Sequence, residues 1–124
     1  MSYEIGAFSE LVSLSIDTLR YYEKLGLIKP QRSTNNRRAY TDNDIKWVQF
    51  IKRLKKTGMP IKSIKLYAKL RYQGNATIDE RLKLLDNQMH RLKTDQNEIQ
   101  AHIAFLNQKM ATYRQIKAEI SKTQ

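Results

Sequence analysis

The sequence predicts a mainly helical protein, a small winged head followed by one long helix. Three observations predict it. Short apolar repeats at helical spacing, punctuated by Gly and Pro, fill residues 1–73. A basic, turn-rich stretch, Arg32-Ser33-Thr34-Asn35-Asn36-Arg37-Arg38-Ala39-Tyr40, separates two pairs of those helices. From Thr77 onward there is neither Gly nor Pro.

The elements follow in order. Ile5, Phe8, Leu11 and Val12 recur at helical spacing and predict a short first helix. Val12-Ser13-Leu14-Ser15 interrupts it. Ser15 suits the N-cap of a second helix, whose inner side carries Leu19, Tyr22 and Leu25. Gly26 is placed to end that helix in a left-handed conformation. Two helices this short, joined by a few residues, match a helix-turn-helix. Leu27-Ile28 begins an extended segment, and Lys29-Pro30 forbids a helix there. Asn35-Asn36 suits a hairpin tip, because both residues tolerate positive φ. Residues 37–40 form the returning strand of a small wing.

Thr41-Asp42-Asn43-Asp44 is a capping box with Asp at its fourth position in place of Glu. A third helix runs through Ile45, Val48, Ile51 and Leu54, with Trp47 and Phe50 flanking that face. Trp47 is expected in the core. Gly58 stops the helix and Pro60 opens a fourth. The fourth helix is expected to bury Ile61, Ile64, Leu66 or Tyr67, and Ala68, with Lys62, Lys65 and Lys69 outward.

Gln73-Gly74-Asn75-Ala76 breaks the pattern, so residues 1–73 are expected to form the head and residues 77–120 the long helix. There, Ile78, Leu82, Leu85, Met89, Leu92, Gln96, Ile99, Ile103, Leu106, Met110, Tyr113, Lys117 and Ile120 alternate steps of four and three. All but Gln96 and Lys117 are apolar. That is a heptad seam of roughly six repeats on a helix roughly 60 Å long. A narrow apolar stripe cannot be buried by its own helix, and no internal turn lets this one fold back. A head of about 70 residues is too small to cover the stripe. A coiled coil with a partner chain, most simply a second copy, is expected.

Charge points to the partner of the head. The chain of 124 residues carries a net +11. Residues 1–73 hold 15 Lys/Arg against 6 Asp/Glu, a net +9, and the remainder holds 8 against 6, a net +2. A basic head on a near-neutral stalk is the pattern of a polyanion binder. Thr18-Leu19-Arg20-Tyr21-Tyr22-Glu23 on the second helix and the Arg- and Tyr-bearing wing form a two-pronged surface for a phosphate backbone. Arg forks onto phosphate or guanine edges, and Tyr hydroxyls donate to phosphate oxygens. Adjacent helical residues lie about 100° apart, so Tyr21 is expected outward and Tyr22 partly inward. Ser15 at the head of the helix and Arg37 on the wing complete the candidate contact set.

Other classes find little support. There is no cysteine, hence no disulfide, thiolate metal site or thiol nucleophile. His90 and His102 lie about 120° apart around one helix and do not converge. No phosphate-cradling glycine loop and no Ser/His/Asp order is present, so no enzyme, metal or cofactor is expected. No apolar run spans a bilayer and no secretory segment opens the chain, which favours a cytoplasmic protein without membrane contact.

Arg20-Tyr21-Tyr22-Glu23, Gly26-Leu27-Ile28, Arg38-Ala39-Tyr40, Asp44-Ile45, Phe50-Ile51 and Gly58-Met59 fall in the order and spacing of the MerR family, bacterial winged-helix transcription regulators. The resemblance covers about residues 3–71 and the architecture of the rest. It implies a homodimer held by an antiparallel coiled coil, bound to dyad-symmetric double-stranded promoter DNA beside RNA polymerase. It implies activation by bending and untwisting an overlong spacer. Thr18, Arg20, Tyr21 and Tyr22 match the family's second-helix contacts, Arg38 and Tyr40 its wing contacts, and Lys55 a phosphate-touching base before a turn. Ser13 and Asn36 stand where the family usually carries Gly. The chain is most similar to a short aldehyde-responsive branch, yet Arg53 stands where that branch has its cysteine. Metal-sensing cysteines are absent too. No effector is identified, and Tyr67, Tyr72, Phe105 and Tyr113 are the surface one would find, although core packing is the commoner role of such residues. Three readings compete with activation: a sequence-tolerant architectural DNA binder, a plain repressor, and a coiled-coil protein whose basic head meets an acidic partner.

Overall fold

The chain runs β1 (Ser2–Tyr3), α1 (Ile5–Val12), α2 (Ile16–Lys24), β2 (Gln31–Arg32), β3 (Arg38–Thr41), α3 (Asp42–Lys56), α4 (Ile61–Tyr72), a 3-10 turn (Asn75–Thr77) and α5 (Ile78–Thr123) in the computed structural model, which describes residues 1–123. Residues 1–86 pack as one unit, and the helix from Asn87 onward is a second.

Local chemistry sets the helix ends of the head. Ser13 stops α1 with φ 56°. The Lys52 ammonium donates to the Val12 carbonyl at 2.8 Å, serving the last turn of α1. The Ser15 hydroxyl accepts the Thr18 N–H at 3.0 Å and caps α2, and Gly26 leaves that helix at φ 79°. At α3 both halves of the capping box form: Thr41 Oγ1 accepts the Asp44 N–H at 3.2 Å, and the Asp44 carboxylate accepts the Thr41 N–H at 2.9 Å.

The sheet is larger than a hairpin. β2 pairs antiparallel with β3 in the register Gln31↔Ala39 and Arg32↔Arg38. Asn36 turns the tip at φ 59°, and its N–H reaches the Ser33 carbonyl at 2.9 Å. β1 pairs with the other edge of β3, Tyr3 opposite Tyr40, giving the order β1-β3-β2. A two-residue strand has no periodicity of its own, so the sequence carries no sign of it. The extended run starts at Gln31, not at Leu27-Ile28. Those two side chains are buried instead, filling the core where the chain leaves α2.

Phe8, Val12, Leu19, Leu27, Val48, Ile51 and Ile64 form the centre of the core. On α4, Tyr67 and not Leu66 turns inward, stacking on Trp47 with centroids 6.0 Å apart and meeting Phe50 at 5.4 Å with its ring tilted by 41°. Ile61, expected to be buried, is half exposed at the first position of that helix, as is Leu66. Leu70 joins the buried set. Thr77 Oγ1 donates to the Leu70 carbonyl at 2.6 Å, and Arg81 Nη2 to the Gly74 carbonyl at 3.1 Å, fastening the start of α5 to the end of α4. Leu85, expected in the heptad seam, is half-buried with Leu84 against the head core.

Ser13 holds a conformation that costs an L-residue side chain energy that glycine avoids. Ser13→Gly is expected to stabilise the head by about 0.5–1 kcal/mol. Asn36→Gly should gain less, because Asn tolerates that region. Thermal denaturation followed by circular dichroism checks both, and a lower melting temperature for Ser13→Gly contradicts the account.

Candidate nucleic-acid interface

Helix α2 divides cleanly. Leu19 and Tyr22 face the core, whereas Thr18 and Arg20 turn outward and Tyr21 is 56% exposed. The 100° step between neighbours puts Tyr21 and Tyr22 on different faces, as expected from their adjacency. The Ser15 hydroxyl donates to Thr18 Oγ1 at 2.8 Å, which orders the first turn. Arg20 lies 3.9 Å from Asp17, and both are so exposed that the pair constrains little.

Tyr22, expected among the direct contacts, is buried, with only its hydroxyl reaching a surface side chain. Its hydroxyl accepts from Lys55 Nζ at 3.1 Å, and the ammonium lies 5.4 Å from the ring centroid. The phenol holds the end of the Lys55 side chain at the surface beside α2.

Tyr40 requires a correction. It was expected to reach DNA from the wing, but it is 1% exposed and its ring stacks on Phe8 at 4.1 Å. Alternation along β3 turns it to the opposite face from Ala39 and Thr41 and into the core. Its hydroxyl is buried without a hydrogen bond, and burial pushes its pKa above the usual tyrosine value.

The wing arginines differ in role. Arg37 is well exposed, with Glu4 at 3.8 Å. Arg38 is mostly covered, and its Nε donates to Glu23 Oε2. That hydrogen bond raises the Arg38 pKa, favouring the charged form further. Arg32 Nη2 donates to the other Glu23 oxygen at 3.0 Å. Glu4, Ile5, Arg32, Asn36, Arg37 and Arg38 line a cleft of about 290 Å³, where the three guanidiniums outnumber the Glu4 and Glu23 carboxylates that pair with them. Arg32 and Glu23 were not among the expected site residues. Their meeting depends on the strand register, which no local pattern encodes.

Tyr67 belongs to the aromatic core. Tyr72 packs edge-on against Trp47, and its hydroxyl accepts the Lys29 N–H at 3.0 Å. Both therefore serve packing. Among the described residues no group of three or more His, Cys, Asp or Glu could hold a metal ion, and no helix is long and apolar enough to cross a membrane.

A helix-turn-helix whose second helix and adjoining wing both present cationic and hydroxyl groups defines a winged-helix DNA-binding head. Residues 3–70 match the family model described as MerR HTH family regulatory protein, and residues 45–106 match that described as MerR, DNA binding. The chain belongs to the MerR family of transcriptional regulators. It is 36% identical to an uncharacterised HTH-type transcriptional regulator of Haemophilus influenzae, over 95% of this chain and 88% of that one. It is 32% identical to the regulator YyaN of Bacillus subtilis, over 94% of each. Among solved structures it is similar to HiNmlR, a MerR family regulator lacking the sensor domain, bound to promoter DNA, at 36% identity and TM-score 0.73 over 95% of this chain and 94% of that one. A MerR family regulator from Listeria monocytogenes matches at 30% identity and TM-score 0.75, over 90% and 85%. These relatives are regulators and not enzymes.

Two neighbouring substitutions separate contact from core. Arg38→Ala is expected to weaken DNA binding and lower the salt slope by about one unit, with helical content retained. Tyr40→Phe removes a buried hydroxyl that has no partner, and should leave DNA affinity unchanged while holding or raising the melting temperature. Salt-titrated fluorescence anisotropy and thermal melts check the pair. Strong loss of binding with Tyr40→Phe would restore that hydroxyl to the interface.

Proposed function

We propose that this protein binds a dyad-symmetric promoter site as a homodimer and activates transcription by distorting the DNA between its half-sites. The observation that carries this reading is the exposed apolar stripe of α5. Met89, Leu92, Ile99, Ile103, Leu106, Met110, Tyr113 and Ile120 are each between 40 and 59% exposed. Ile78 and Leu82, at the start of the same helix, are similarly open. Exposed heptad positions on this scale are stabilised by a second helix. Ile116, also half exposed, gives the stripe an apolar residue beside Lys117. In this reading residues 1–73 are the DNA-binding part and residues 77–120 the dimerisation part. An antiparallel pairing follows the family resemblance.

Ser15, Thr18, Arg20 and Tyr21 then enter a major groove from α2, while Arg37, Arg38 and Lys55 hold the flanking backbone. The promoter-bound relative HiNmlR supports promoter DNA as the ligand. Two heads on one stiff dimer dictate the spacing and twist of the half-sites. Where the DNA's own spacing differs, binding bends or untwists it, at a cost of a few kcal/mol. RNA polymerase at the same promoter, in the cytoplasm, is the machinery that benefits.

Sedimentation is expected to show a dimer at micromolar concentration. Ile99→Asp with Ile103→Asp should dissociate it, because each charge would be buried against apolar partners. A monomeric wild type would contradict the dimer directly. For the mechanism, removing or adding one base pair at the operator centre should change binding and transcription together. A promoter with a shortened spacer should be transcribed without the protein. Simple blockage in transcription assays, with no distortion by footprinting, identifies a plain repressor. Equal affinity for operator and random duplex identifies an architectural binder.

A further inference from the structure

Arg32 and Arg38 are register partners across the wing hairpin. Like charges placed directly opposite on two strands repel each other. Here one carboxylate from α2 answers both. Glu23 Oε1 accepts from Arg32 Nη2 at 3.0 Å, and Oε2 accepts from Arg38 Nε. The side chains of Glu23 and Arg38 are only 23% and 28% exposed, so solvent screens this pairing less than it does Arg37 with Glu4. The cluster unites β2, β3 and the last turn of α2, and it carries a net +1 where the arginines alone would carry +2.

We infer that Glu23 is a positioning and specificity-determining residue of the DNA interface, bridging Arg32 and Arg38 so that wing and second helix engage DNA as one body. The inference rests on the sequence-specific reading given above. Two physical effects follow from the bridge. The wing is ordered before it meets DNA, which lowers the entropic cost of seating both prongs together. The carboxylate also offsets part of the field that would draw the arginines to any phosphate. Sequence-independent affinity rises with the number of phosphates neutralised, whereas discrimination depends on correct seating at base edges. Glu23 therefore lowers binding to arbitrary duplex and raises it at the matched site.

Glu23→Gln keeps the size of the side chain and removes its charge. The probes are a duplex selected from a random-sequence pool by the wild-type protein and a scrambled duplex of the same composition. Both are titrated at several salt concentrations by fluorescence anisotropy, with helical content and melting temperature recorded. Glu23→Gln is expected to bind the scrambled duplex as tightly as wild type or tighter, with a salt slope steeper by about one unit. Its preference for the selected duplex is expected to fall on the order of tenfold. In an Arg32→Ala/Arg38→Ala background the same substitution should no longer change the preference. Arg32→Ala alone, on the exposed strand, should lower the preference by a smaller factor and provides the reading if Glu23→Gln melts below assay temperature. An unchanged preference overturns the inference. So does an equal loss on both duplexes, or an undiminished effect in the double-alanine background. A wild type that does not discriminate fails the sequence-specific reading itself, and the role of Glu23 with it.

Discussion

The stacking of Tyr40 on Phe8 is the contact on which the arrangement of the head depends. A phenol ring 4.1 Å from a phenyl ring, both buried, ties the middle of β3 to α1. Each ring removes roughly 150–250 Å² from water, far more than two- to four-residue strands could secure by their ladder alone. The wing is therefore mounted on the same core as the helix-turn-helix. A second tether acts from the other side, where Trp47 Nε1 donates to the Leu27 carbonyl at 2.8 Å. That bond pins the chain leaving α2 to α3. Both prongs of the interface are thus referred to one buried cluster, which gives them a defined separation before DNA arrives.

Charge is arranged around that frame with different degrees of freedom. Arg20, Tyr21 and Arg37 are exposed and can adjust to a backbone. Arg38 and Lys55 are held, the first by Glu23 and the second by the Tyr22 hydroxyl and ring. Lys52, half-buried, donates to the Val12 carbonyl at the end of α1. A strongly basic composition alone therefore overstates how many cations are available to phosphate. Held cations favour one geometry, and mobile ones supply affinity that salt removes.

The head and the long helix make different demands. The head gathers most of its large apolar side chains, its aromatic cluster included, into one core. The helix from Asn87 onward leaves a row of aliphatic side chains open to solvent.

Features within a few residues of one another were legible from the chain alone. The Ser15 cap, the Thr41–Asp44 box, the left-handed Gly26 and Asn36, and the heptad stripe each depend on neighbours one to four positions away. Their chemistry is complete before the chain folds. The family motifs around Arg20 and Arg38 were legible for the same reason, and they pointed to the MerR family that the family models match. Other features required contacts between distant residues. Tyr3 pairs with Tyr40, Glu23 meets Arg38 from fifteen positions away, and Tyr67 displaces Leu66 as the inward residue because Trp47 and Phe50 wait across the helix pair. Tyr40 shares its motif with the wing's Arg38, and it is core because β3 alternates. Sequence determined which segments are helix, turn or stripe, through local hydrogen bonds and periodicity. Tertiary structure decided which side chains point where, because strand register and packing are set by partners far along the chain.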